Sequence, residues 1–346
     1  MPTQKVFRLH SRTFYRAINL HEEEIPTPNK HEVLIKVKSV SLNFRDVAVS
    51  NGTYPFPVKE MVVPCSDACG EVVEAGCAVT NVGNGDLVMC TFDPTNLYGP
   101  QKNWENGLGG PVDGVLRQYV AVPASAVVKV PAGSGVSTAS WASMVCTGVT
   151  AWNCLYGNMP LRPGQTVLFQ GTGGVSMTGL QIAKNAGAIT IVTSSSDSKL
   201  QFVKEKFGAH HTINYKTTDW AKEAQKLTSG RGVDYIIENG GSGTIKQSLD
   251  AIAMGGIISV VGFLSAAAQE DMPDVAGLAL GKGAVVRGIT VGSTQLLEEA
   301  VRFFGANKIA IPIDIVFESS HDQVMKAFEY LTSGSHVGKV CINFED

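Results

Sequence analysis

Through the middle of the chain, short apolar runs alternate with stretches whose apolar residues recur at helical spacing. Thr166 to Gln170 is one such run, and it breaks at Gly171, Gly173 and Gly174. Beyond the break, Val175, Gly179, Ile182, Ala183 and Ala186 fall at i, i+4, i+7, i+8 and i+11, one face of an amphipathic helix. Further strands are predicted at Ile189 to Thr193, Thr212 to Tyr215, Val233 to Glu238 and Gly256 to Val261. Helices are predicted between them over Asp197 to Phe207, Asp219 to Leu227 and Thr244 to Ala253. Buried strands alternating with helices predict an α/β unit built on a doubly wound parallel sheet.

The first third reads differently. Lys5 to Leu20 has the pattern of a hairpin, and Glu32 to Val40 alternates apolar and polar residues like a half-buried strand. Short strands are predicted at Asp67 to Ala75, Leu87 to Cys90 and Gly114 to Val122, with glycine-rich turns such as Asn81 to Asp86 between them. A β-rich, Gly/Pro-punctuated unit therefore precedes the α/β unit, with the link near Pro123 to Pro131.

Composition narrows the function classes. The chain has 346 residues, enough for about two domains, and 28 basic against 31 acidic side chains without a charged block. Binding to nucleic acid or to an anionic membrane gains no support from that balance. Met1 to Phe7 lacks an apolar signal core. Ala251 to Ala268 is free of charge, but its glycines at 255, 256 and 262 favour a core strand with flanking turns over a membrane helix. The cysteines number seven, an odd count that predicts reduced thiols and a cytoplasmic protein.

Strand, glycine turn and helix together form the context in which Gly171-Thr172-Gly173-Gly174-Val175 acquires meaning. Such a turn lets the backbone approach a pyrophosphate, whose charge sits on the free N–H groups at the helix start. Ser176 stands where a third glycine is usual and is small enough to keep the helix near the strand. About 20 residues further on, an acidic side chain would hold a ribose 2′-hydroxyl and repel a 2′-phosphate. Here the second strand runs into Thr193-Ser194-Ser195-Ser196-Asp197-Ser198-Lys199. Hydroxyls with a following lysine suit the extra phosphate, so NADP(H) is the expected cofactor. Asp197 as a strand-end acid would favour NAD, and a plain helix cap is the third option.

Several motifs carry a family resemblance. They are Ser41-Leu-Asn-Phe-Arg-Asp46, Asn51-Gly-Thr-Tyr-Pro55, Val63 to Gly76, Cys146-Thr-Gly-Val-Thr-Ala-Trp152, the glycine turn, and Gly334 to Ile342. In that order they resemble the medium-chain dehydrogenases/reductases, in particular the zinc-independent quinone oxidoreductase-like branch. The resemblance implies a GroES-like substrate domain, residues 1–127 with 294–346, and a Rossmann domain, residues 128–293. It implies Asn43 as a donor near the nicotinamide or substrate oxygen, Tyr54 as a phenol on the substrate side, and Asp46 within the same Asn-x-x-Asp signature. Tyr54 as a core-packed turn aromatic, and Asp46 as a helix-start or ion-pair residue, are the competing roles. Thr150 is implied to approach the nicotinamide and Tyr215 the adenine or the 2′-phosphate. Asn239 and Gly262-Phe263-Leu264 end strands at the ligand side of such a sheet, and Val291 and Ser293 are implied to hold the carboxamide. Lys339 is either a phosphate contact or a surface lysine.

Zinc-dependent relatives hold their metal with a Cys, a His followed by Glu, and a second Cys or Asp. The matching positions here are Asn43, Ser66-Asp67 and Cys146, one thiol where three ligands are needed, so no metal is expected. Cys90 to Arg117 holds one cysteine, and its long loop Asn103 to Gly114 is either a cover for a pocket or surface padding. Without a Lewis acid, hydride addition to a conjugated C=C or a quinone is easier than to a saturated ketone, because the charge spreads to an oxygen that hydrogen-bond donors stabilise. The expected activity is therefore NADPH-dependent reduction of a small enone, enal or quinone. A zinc-free carbonyl reductase or alcohol dehydrogenase, and a non-enzymatic NADPH-binding protein, are the alternatives. The β-rich run Ala284 to Val291, by the same resemblance, implies a homodimer.

Overall fold

The computed structural model describes residues 1–344, and they contain fifteen strands. These are β1 (Thr3–Leu9), β2 (Ile18–Glu24), β3 (Glu32–Leu42), β4 (Asp67–Ala75), β5 (Leu87–Cys90), β6 (Tyr119–Pro123) and β7 (Val127–Lys129). Then follow β8 (Thr166–Gln170), β9 (Ile189–Ser194), β10 (His211–Asn214), β11 (Val233–Glu238), β12 (Ile252–Val260) and β13 (Val285–Gly288), and finally β14 (Ile313–Glu318) and β15 (Lys339–Asn343). The chain divides into two compact units: Met1–Val149 with everything from Val291 onward, and Thr150–Thr290. The first unit thus runs past the boundary expected at residue 127, because the helix Thr138–Ala142 packs on β3 and β4. Val291–Ser293 also falls to it, not to the second unit.

In the first unit, β1 and β2 form an antiparallel hairpin in register from Thr3↔Glu24 to Leu9↔Ile18. The larger sheet has the order β14-β15-β3-β4-β5-β7, with β6 pairing β3. The strand predicted from Gly114 begins only at Tyr119. Gly114, Val115 and Leu116 instead give their N–H groups to Val63, Cys65 and Pro64 carbonyls, which holds this stretch against the loop before β4. Val6, Phe7, Ile35, Val40, Leu116 and Phe328 lie in one buried apolar cluster.

The second unit carries a six-stranded sheet, β10-β9-β8-β11-β12-β13, with every neighbouring pair parallel. The order reverses at β8, so a ligand crevice is expected beyond its carboxyl end. The sixth strand, β13, comes from the run after Gly283 and forms an edge. The helix Gly174–Asn185 packs on β8 and β9. Gly179 is required there, since a Cβ would come within 2.5 Å of the Phe169 ring. The apolar run from Ala251 supplies β12 and the turn after it, and no helix among the described residues is long and apolar enough to cross a membrane.

Candidate active site

The glycine turn stands at the carboxyl end of β8. Gly171 has φ +76°, the left-handed region that glycine occupies without strain, and its N–H donates to Thr193 O, tying the turn to β9. Gly173 precedes the helix in an extended conformation and has no side chain to cap it. A Cβ on Gly171 or Gly173 would meet nothing within 4 Å, so the turn leaves open space over an uncapped helix start, the arrangement that receives an anion. Thr172 is buried, and Gly174 and Val175 begin the helix half-exposed. Ser176 does not face that space. Its hydroxyl donates to Gln170 O at 2.7 Å and accepts from Asn239 Nδ2 at 3.0 Å, locking helix, β8 and the end of β11 together.

Beyond the neighbouring strands the predicted residues gather. Ser194 ends β9, and its carbonyl accepts from the Tyr215 N–H at 3.1 Å, which sets the half-exposed Tyr215 ring beside it. Ser195 follows, and Ser196 caps the next helix by accepting from the Lys199 N–H. Asp197 lies in the first turn of that helix, not at the strand end, and accepts from Asn214 Nδ2 at 2.8 Å. Past β11, Asn239 Nδ2 also donates to Gln170 O at 2.8 Å. Gly262 packs so closely that a Cβ would reach Asn239 O at 2.5 Å, while Phe263 and Leu264 are exposed. Sequence patterns did not single out Glu238. It is fully buried, and its carboxyl accepts from Gly240 N, Gly241 N, Thr244 Oγ1, Gln170 Nε2 and Ser248 Oγ. Those bonds fix the loop after β11. Thr150 is buried near the start of the helix Val149–Tyr156.

The three proposed catalytic residues belong to the first unit, together with a charge cluster that sequence patterns did not reveal. Asn43 ends the extended run of β3 and precedes the helix Phe44–Ser50; its N–H donates to Asp46 Oδ2 at 2.8 Å, the return half of a capping box. Asp46 and Asp67 are both wholly buried. Burial pushes Asp46 up to about 6, with Arg45 opposing the rise. Burial raises Asp67 as well, and Lys339, then the Ser66 hydroxyl, hold it back. Asp67 accepts from Ser66 Oγ at 2.6 Å and from the Cys146 N–H at 3.1 Å. That N–H is presented by a wide turn, Met144–Gly148, in which Gly148 N reaches back to Ser143 O. Lys339 is not a surface lysine. It is 3 % exposed, and its Nζ donates to Leu42 O at 2.5 Å and Asn43 Oδ1 at 2.6 Å.

Tyr54 is buried, edge-on to Phe56, and the Arg45 guanidinium lies 5.0 Å above its ring and 4.8 Å from that of Phe92. The Asn103–Gly114 loop is held down on this face. Arg45 donates to Leu108 O at 2.6 Å, Asp113 accepts from Lys59 Nζ at 2.7 Å and Val63 N at 3.0 Å, and Trp104 stacks on Phe56. At the far end of the unit, Val291 has φ +57°, a strained conformation for a β-branched residue, and Ser293 caps the helix Thr294–Asn307.

Residues 29–132 match the alcohol dehydrogenase GroES-like domain family, and residues 174–306 the zinc-binding dehydrogenase family. The chain is 41 % identical to the zinc-type alcohol dehydrogenase-like protein C1773.06c of Schizosaccharomyces pombe over 331 residues, 94 % of each chain. This chain belongs to the medium-chain dehydrogenase/reductase superfamily. It is 30 % identical to the quinone oxidoreductase-like protein 2 homolog of Nematostella vectensis, over 96 % of this chain and 90 % of the relative. A solved structure from Sinorhizobium meliloti 1021, provisionally described as an alcohol dehydrogenase, superposes with a TM-score of 0.91 at 35 % identity over 99 % of both chains.

For this medium-chain oxidoreductase the matching metal positions can be judged on their chemistry. Asn43 Oδ1 is engaged by an ammonium, Ser66 by the Asp67 carboxyl, and burial pushes the Cys146 thiol up to about 12. Among the described residues no group of three His, Cys, Asp or Glu side chains is arranged to hold a metal ion. A buried ammonium beside two of the three positions also repels a dication. The residues present do not fit a catalytic zinc.

One consequence concerns pH. The folded proton affinity of Asp46 exceeds its ordinary value of 3.8, so its stability contribution is present below about pH 4 and lost as the pH rises towards 6. An Asp46→Asn variant, which can still accept the Asn43 N–H, is expected to gain on wild type by on the order of 3 kcal/mol across that window. Urea denaturation of both proteins at pH 4 and pH 7 measures it; parallel profiles would show that Asp46 titrates normally.

Proposed function

We propose that this oxidoreductase is an NADPH-dependent reductase that acts without a metal ion on the activated C=C of an enone or enal, or on a quinone. The observation that carries the reading is the Asn43 amide. It is 7 % exposed, its oxygen is taken by Lys339, and its Nδ2 is left without a hydrogen bond of normal geometry. That N–H is turned to the Asp67 carboxyl in a bond short of normal geometry, which leaves it open to a better acceptor. An oxygen that becomes negative as hydride arrives at a conjugated carbon supplies it, and such a donor is worth most in a site closed to water. Solvent then supplies the proton at carbon. The dinucleotide supplies the hydride when bound. Its pyrophosphate would be received by the turn Gly171–Val175, and its 2′-phosphate by Ser194, Ser195, Lys199 and Tyr215. Position 197 supports NADP(H) over NAD, because its carboxyl lies past the strand end and is bonded to Asn214. Asn239, Gly262–Leu264, Thr150, Val291 and Ser293 belong to the same reading as cofactor contacts, and a cytoplasmic homodimer is its assembly.

The test is a panel of acceptors. With NADPH, 1,4-benzoquinone and 2-cyclohexen-1-one are expected to turn over, cyclohexanone at least 100-fold more slowly, and NADH to be the poorer donor. Activity is expected to survive prolonged chelation. Turnover of the saturated ketone alone, or stoichiometric zinc whose removal abolishes activity, would overturn the proposal.

A further inference from the structure

We propose that Lys339 is a positioning residue: it locks the Asn43 side chain in the one orientation that presents an N–H, not a carbonyl oxygen, to the substrate. The inference rests on the reductase reading above for its purpose, but its geometry stands apart from it. An amide can be turned over with little change of shape, exchanging a donor for an acceptor. An ammonium has only donors. Nζ at 2.6 Å from the Asn43 side chain therefore requires the oxygen on its own side, and the NH₂ group must point away. The second Nζ bond, to Leu42 O at 2.5 Å, anchors the ammonium to the residue just before Asn43, so it cannot follow the amide if the amide rotates.

The backbone holds both partners still. Val340 pairs with Leu42 in the antiparallel ladder of β15 and β3, which places Lys339 opposite Asn43. The Asn43 main chain is fixed in turn by its bond to Asp46. Two buried carboxyl groups lie within reach of the ammonium charge: burial raises Asp67 and Asp46, and Lys339 opposes the rise of each, foremost that of Asp67. The Asn43 amide contributes to the same effect on Asp67, yet Nδ2 is left without a bond of normal geometry.

Removing Lys339 alone leaves Asp67 unpaired, and the protein could then fail to fold. The variant of choice is Lys339→Met with Asp67→Asn, which keeps the net charge of the cluster and leaves the amide free to turn. Asn43→Asp is the complement, because it preserves a partner for Lys339 but shows the substrate an acceptor. Both are expected to lower kcat on 1,4-benzoquinone and 2-cyclohexen-1-one at least 30-fold with the NADPH Kd, read by fluorescence, within twofold of wild type. A probe that needs no turnover is 4-nitrophenol bound to the NADP⁺-loaded protein, followed by absorbance. Its ionisation is expected about one pH unit lower in wild type than in either variant. Wild-type kcat and unchanged probe ionisation in the double variant would overturn the inference. A wild-type protein inert towards every acceptor, but showing the probe difference, would end the reductase reading and leave Lys339 in its place.

Discussion

A Gly173→Val protein is expected to unfold at the wild-type temperature and to bind NADPH at least 100-fold more weakly. The two halves of that result have separate causes. Gly173 has φ −76° and ψ −179°, an extended conformation that valine adopts readily, and a Cβ there meets no atom of the chain within 4 Å. Nothing in the fold requires glycine at this position. Gly171 is different, because its φ of +76° makes any side chain costly, and so is Gly179, where the Phe169 ring leaves no room. Beyond the mild preference of a helix N-cap for glycine, a ligand drawn close to the backbone would account for the missing side chain of Gly173. A valine would hold a pyrophosphate off the uncapped amides of the helix start. Losing two hydrogen bonds to a charged group costs about 3–6 kcal/mol, about 100- to 20,000-fold in affinity. Fluorescence titration with NADPH beside a thermal scan measures both halves, and unaltered affinity would show that the turn is not the pyrophosphate cradle.

Much of the fold is local, and it was legible for that reason. The strands Thr166–Gln170, Val233–Glu238, Asp67–Ala75 and Leu87–Cys90 are apolar or alternating runs between turn residues, and they form over the residues that the pattern predicts. The parallel sheet follows from their alternation with helices. Val127–Lys129 was missed because three residues in a proline-flanked link carry no period of their own. Gly114–Gln118 has a strand-like pattern but spends its N–H groups on the loop before β4 and on β1, a choice that depends on residues some fifty or more positions away.

The site divides along the same line. The glycine turn and the serines at the end of β9 are read from spacing, since each is one short stretch of the chain. The charges behind Asn43 are not. Lys339 meets Asn43 only through the register of β15 on β3, a separation of 296 residues, and Asp67 reaches the same cluster from a third strand. A lysine at the head of an apolar strand looks solvated until the carboxyl groups that retain it are known. The resemblance marked Asn43 and Ser66-Asp67 as positions without the usual metal ligands and left Cys146 as the one thiol. It did not show that a fixed cation from elsewhere in the chain stands beside them.

That cation and its carboxyl partner set the second large expectation. Lys339→Met alone and Asp67→Asn alone are each expected to destabilise the protein, the former by about 3–5 kcal/mol, because each leaves a buried group without the opposite charge that made its burial tolerable. The double variant is expected to lie well above the sum, with a coupling of about 2–3 kcal/mol, since it removes both desolvated charges together. Asp67 accepts from Ser66 at Oδ1 and from the Cys146 N–H at Oδ2, and an asparagine keeps only one of these acceptors, a loss common to the single and the double variant. The coupling therefore reports the charges and not a lost hydrogen bond. Urea denaturation of wild type, both single variants and the double at pH 7 closes the cycle. Simple additivity would mean that Asp67 does not feel Lys339. The cluster would then be two independent charges, each compensated elsewhere, with Arg45 and Asp46 as the remaining partners. A coupling of the expected size would instead explain why a lysine can be kept dry beside the amide that it orients.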